Sequence, residues 1–242
     1  MQKTTLMKLS SLSGILSGIA WMVGDILLVG FKPDVSAYPA IAQSDVIADK
    51  QIAAVMLEGS TGRFMAGALV AAFTVPLMIF ALYHIYQMIK PAGRVFSALC
   101  VTALFVAFTW SPLAHASFFY VGEACKTALQ LDAASAASVL MMAATFIDML
   151  HITWAAAIGL TGIGWLLVSA AILRGKTNFP RFFAFLTPLP LSVFFIGLHY
   201  AVPQMIPDAL AGAGFNVAAT IFYTFTAVFC FRKNTALPEG AR

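Results

Sequence analysis

The sequence predicts an all-α, polytopic transmembrane helix bundle of six spans, with both termini in the cytoplasm. Three observations carry this. Of 242 residues, 61% are hydrophobic and only 10% charged, with a mean hydropathy of +0.89; a soluble domain has about 45–50% apolar and about 25% charged residues. Six stretches approach or exceed the roughly 20 apolar residues that cross about 30 Å of hydrocarbon. The basic residues between them fall mostly on one side. This composition excludes an ordinary soluble domain, a disordered chain and a nucleic-acid binder. The net charge of +4 reflects orientation in the lipid bilayer, not an acidic partner. Three scattered cysteines make no disulfide framework.

The spans are predicted at about 12–31, 64–89, 95–120, within 139–173, 182–202 and 215–231, as one transmembrane domain over residues 1–242. Each is helical because a helix satisfies its own backbone where water is absent. The first follows Lys3 and Lys8, as a signal peptide would, but its apolar run is long and continues past Asp25, so it reads as a span. The second and third contain Pro76 and Pro112, and the fifth Pro188 and Pro190; all are expected to kink their helices. The fourth stretch is about 52 Å of helix. It reads as one helix capped near Asp132 that begins outside the bilayer, with a break near Gly159, Gly162 and Gly164 as the alternative. Between the first two spans, a helix over about Asp45 to Leu57 is expected, with Ser44 as its N-cap.

With the N-terminus inside, the cytoplasmic side holds Lys3, Lys8, Lys90, Arg94, Arg174, Lys176, Arg181, Arg232, Lys233 and Arg242, and the other side Lys32, Lys50, Arg63 and Lys126. That asymmetry obeys the positive-inside rule and requires an even number of crossings. Gly14 with Gly18, and Gly67 with Ala71, form small-residue faces suited to close helix contact, within the chain or in a homo-oligomer.

Ionisable residues inside a span are costly and point to function. Asp25 lies about 9 Å below the outer end of the first helix. His115, Asp148, His151 and His199 fall at similar depth on the third, fourth and fifth, and Asn216 opens the sixth. Glu58, Arg63 and Glu123 lie just outside. Asp148 and His151 are spaced i, i+3 and share a face. The set predicts a pocket open to the outer face, with Asp25, His115, Asp148, His151, His199, Arg63 and Glu58 as candidate ligand-binding residues. His115, His151, His199 and Asp148 have the chemistry to hold zinc or a similar metal, or to relay protons, although no HExxH-type motif is present. The alternative is that each group is satisfied separately as interhelical glue. His84, within Tyr83-His84-Ile85-Tyr86, reads as part of an aromatic belt at the cytoplasmic interface, or else as a second, inner polar site.

Segment by segment, the chain resembles an uncharacterised bacterial family of six-helix integral membrane proteins, a domain of unknown function. The resemblance rests on Met22-Val23-Gly24-Asp25, on Arg63 opening the second helix, on Tyr83-His84-Ile85-Tyr86 before Lys90-Pro91-Ala92-Gly93, and on the run from His115 to Gly122. It implies a bacterial integral membrane protein with no assigned activity and transfers no catalytic residue; the chain is read as a multi-pass protein of the inner membrane. Three functions fit the residues: binding or transport of a small polar ligand, cation or proton through the pocket; metal-dependent hydrolysis of a lipid; and a structural or accessory membrane subunit.

Overall fold

The computed structural model describes residues 3–202 and 204–232, and among these every regular element is helical. The helices are α1 (Lys3–Val29), α2 (Pro39–Ala42), α3 (Lys50–Val55), α4 (Thr61–Ile89), α5 (Arg94–Ala128), α6 (Ala133–Leu173), α7 (Pro188–Ala201), α8 (Asp208–Gly212) and α9 (Gly214–Arg232). Lys233 and Arg242 lie outside the described residues. Five helices are long and apolar enough to cross a membrane: α1, α4, α5, α6 and α9. This is a multi-pass membrane protein. The fifth predicted span divides in two, a 3-10 segment Arg181–Leu186 and the 14-residue α7.

The long fourth stretch is a single helix. α6 runs unbroken through its three glycines, and the Asp132 carboxylate caps it by accepting from the Ala134 and Ser135 amides. Pro76 and Pro112 sit inside α4 and α5. Pro188 and Pro190 do not kink a helix. They lie in the first turn of α7, where the missing N–H groups have no partner to lose. The predicted 45–57 helix is shorter, Lys50–Val55. Asp49 caps it by accepting from the Ile52 amide, while the Ser44 hydroxyl accepts from Ile47 in a separate turn ahead of it. Asp49 wins because it sits three residues before the amide it satisfies, directly at the helix start.

The major helices form a ring. α5 packs along α6 and against α4, α4 against α1, α1 against α9, and α9 against α7; the seam between α7 and α6 is slight. Lipid is as apolar as leucine, so close backbone approach, more than hydrophobic burial, holds such helices together. The small residues supply it. A methyl on Gly14 would overlap the Tyr223 ring of α9, and one on Gly18 would meet Thr220. Gly24 and Gly67 face each other where α1 crosses α4. The small-residue faces are therefore occupied within the chain.

At the end of the bundle where α4 meets α5, the interior is solid. Trp165, Phe179, Phe183, Phe222 and Tyr223 fill it. At the opposite end, residues 30–60 fold over α5 and α6 and bury Ile41, Ile47, Val55 and Met56 against Phe64, Val121 and Ile147. Between these two cores the ring is hollow.

Candidate functional site: an apolar cavity with two Asp–His pairs

The hollow is a cavity of about 670 Å³ lined by α1, α5, α6, α7 and α9. Its size falls in the range of small-molecule sites. One face of α7 lines it through Leu189, Ser192, Val193 and Ile196, the i, i+3, i+4, i+7 stripe of a helix. α6 contributes Leu150, His151, Trp154, Ala157, Ile158, Thr161 and Gly162. Trp154, Ile158, Val193 and Ile196 are nonetheless exposed, because the cavity opens sideways through the slight α6–α7 seam.

Its polar end is built from three helices. Asp25 lies in the last turns of α1, His115 in the middle of α5 and Asn216 in the first turn of α9. His115 Nε2 lies 3.0 Å from Asp25 Oδ1, and Asn216 Nδ2 donates to Asp25 Oδ2 at 2.7 Å. His115 Nδ1 faces the Ser111 carbonyl at 2.8 Å. The Trp21 ring meets the imidazole edge-on, 5.2 Å between centroids. Its indole N–H is buried without a hydrogen-bond partner.

A second Asp–His pair lines the same cavity. His151 Nε2 lies 3.1 Å from Asp49 Oδ2, with both side chains partly exposed. Among the described lining residues there is no Lys or Arg, and the acidic ones are Asp25 and Asp49. Around them stand Trp21, Phe108, Phe118, Trp154 and Phe215.

A family model described as a family of unknown function, DUF6796, matches residues 1–233. The chain belongs to this family. No curated protein and no solved structure matches it.

In this DUF6796 chain the predicted pocket assembles only in part. Asp25, His115 and His151 line the cavity; Asp148, His199, Arg63 and Glu58 do not. Asp148 is exposed on α6 and has no side-chain partner among the described residues. His199 closes the α7–α8 connection instead. Its Nδ1 donates to the Ile206 carbonyl at 2.9 Å, and its Nε2 lies 3.5 Å from Asp208.

Arg63 is a helix clamp. Its guanidinium donates to the carbonyls of Ile26 and Leu27, at 2.8 and 3.1 Å, which the end of α1 leaves without helical partners. It also stacks 3.9 Å from the centre of the Phe31 ring. Glu58 sits beside Tyr38, whose phenol is pushed above its ordinary range first by burial and then by that charge. Glu123 accepts from Thr61 and pairs with Lys126.

The four-residue metal set is not assembled, and no three His, Cys, Asp or Glu side chains among the described residues are grouped to hold a metal. His84 is not in an interfacial belt. It is fully buried between Phe179 and Tyr223. Neither of its ring nitrogens makes a hydrogen bond of ordinary geometry, and neither does the Tyr223 hydroxyl.

Two polar residues of the cavity lining escaped sequence reasoning as site members. Asp49 lies in a loop and carries no intramembrane signal. Asn216 was visible only as a polar residue at the start of a helix. Its register with Asp25, 191 positions away, is a product of the α1–α9 packing.

Proposed function

We propose that the protein binds, and moves across the membrane, a small organic cation with an apolar body. One observation carries the reading: a largely apolar and aromatic cavity whose described lining holds the carboxyl groups of Asp25 and Asp49 and no Lys or Arg. The cationic head pairs with Asp25 in a site of low dielectric, where a single charge pair is strong. The aromatic walls favour the same sign of charge, because a ring face attracts cations. The seam between α6 and α7 gives an amphiphile access from the bilayer.

In this reading the protein makes six crossings in a bacterial inner membrane with both ends in the cytoplasm. α7 alone is about 21 Å long, and the six-residue 3-10 segment before it adds about 12 Å. Together they supply one crossing. An even count keeps ten basic residues on the cytoplasmic side against four opposite. The cavity then lies toward the outer leaflet. The lipid-hydrolase reading has no comparable support, because its metal ligands are dispersed.

The test uses two ions of the same shape and opposite charge, tetraphenylphosphonium and tetraphenylborate, on protein in lipid nanodiscs. The phosphonium binds, and Asp25→Asn weakens it tenfold or more. Gly162→Trp, which builds a side chain into open space on the cavity wall, blocks it. Equal or tighter binding of the borate contradicts the proposal.

A further inference from the structure

The Asp25–His115 pair carries more than a charge. Both imidazole nitrogens face acceptors: Nδ1 the Ser111 carbonyl, Nε2 an Asp25 carboxyl oxygen. A carbonyl oxygen can only accept. A neutral imidazole beside an ionised carboxylate has one N–H for these two bonds. Satisfying both requires a second proton, on Nε2 or on Asp25 Oδ1. Such a pair is neutral overall, and its second proton occupies the position from which a cation would address Asp25.

We propose that the cavity exchanges one proton for each organic cation it binds, with Asp25 and His115 as the exchanging pair. This rests on the cation-binding reading above and names its coupling ion. In the balance, the cation arrives at Asp25 and the proton between Nε2 and Oδ1 leaves to water. His115 stays neutral, with its Nδ1–H still on the Ser111 carbonyl. No covalent bond forms. Two positive charges on one carboxylate in a low-dielectric cavity repel each other strongly, so the sites of proton and cation exclude one another.

The surroundings permit this. α9 offers the uncharged Asn216, α7 no titratable group to the lining, and α4 only Met78. α6 and the start of α3 offer the His151–Asp49 pair at the rim. The guanidinium of Arg63 is engaged with the end of α1, on carbonyls one and two residues past Asp25. His199 and Asp208 pair outside the lining. Among the described lining residues, the rim pair is therefore the competing titratable unit.

By linkage, a proton expelled by the cation makes cation affinity rise with pH, by up to tenfold per unit. Calorimetry of tetraphenylphosphonium binding at fixed pH, in two buffers of different ionisation enthalpy, counts the protons released. The expected result is about one per cation, falling toward zero in His115→Gln. Binding with no proton release overturns the exchange and leaves cation binding standing. Release that survives His115→Gln and disappears in His151→Gln assigns the exchange to the rim pair and overturns this proposal. Absence of any phosphonium binding removes both readings.

Discussion

Asp49 joins the loop over the bundle to α6. Its Oδ1 accepts from the Ile52 amide and caps α3, while its Oδ2 lies 3.1 Å from His151. The two oxygens do separable work. Asp49→Ala loses the cap, a cost of about 1 kcal/mol, and amide exchange at Ile52 speeds up about fivefold. Asp49→Asn keeps a good capping residue, so Ile52 stays protected while the charge on the cavity rim is gone. Equal exchange in the two variants would refute the capping role.

The contact between Gly14 and Tyr223 sets how closely α1 approaches α9. Gly14→Ala forces a methyl against the tyrosine ring and should cost about 1–3 kcal/mol, as overpacking does. Adding Tyr223→Leu relieves the overlap. The double variant should therefore unfold closer to wild type than the sum of the single changes predicts, in chemical denaturation of protein in mild detergent. Strict additivity would show that the two residues do not meet.

Arg63 acts through the end of α1 and not through the cavity. Removing its two charge-assisted bonds in Arg63→Ala should cost roughly 1.5–3 kcal/mol. Arg63→Lys should recover only part of that, since an ammonium lacks the fork that reaches two successive carbonyls. Phosphonium affinity, measured on the folded fraction, should change by less than threefold. A tenfold loss of affinity with unaltered stability would return Arg63 to the binding site.

Asp132 gives a pH dependence of known sign. Hydrogen bonds to its carboxylate, with the side-chain interaction at Ser135 first, hold its pKa below the usual 3.8. A depressed folded pKa stabilises the cap above the unfolded value and loses that effect as pH falls through the folded one. The first turn of α6 should fray below about pH 4, seen as faster exchange at Ala134 and Ser135. Asp132→Asn should flatten this response.

Level along the helix axes was legible in the sequence; azimuth was not. The rise of 1.5 Å per residue places Asp25, His115 and Asn216 near one level, and they do meet. Whether a side chain faces the cavity or the surroundings depends on helix rotation. A helix apolar on every side carries no stripe from which to read it. α6 shows the consequence. Asp148 and His151 share a side by spacing, yet His151 lines the cavity and Asp148 stands clear of it. The Asp132 cap was legible because its chemistry is local. The partners of His151 and His199 were not, since Asp49 and Asp208 approach through loop and connection geometry. Division of the fifth stretch follows from Pro188 and Pro190, which start a helix as readily as they bend one.

The central claim is that the hollow between the two packed ends is where a cation sits, with Asp25 at its charged end. Tetraphenylarsonium has the shape and charge of the phosphonium and a heavy atom that scatters anomalously. Crystals of the protein grown with it should show one arsenic peak inside the ring of helices, on the Asp25 side of Phe108, and none in Asp25→Asn. An arsenic peak confined to the lipid-facing surface, with the hollow filled by side chains, would contradict the account.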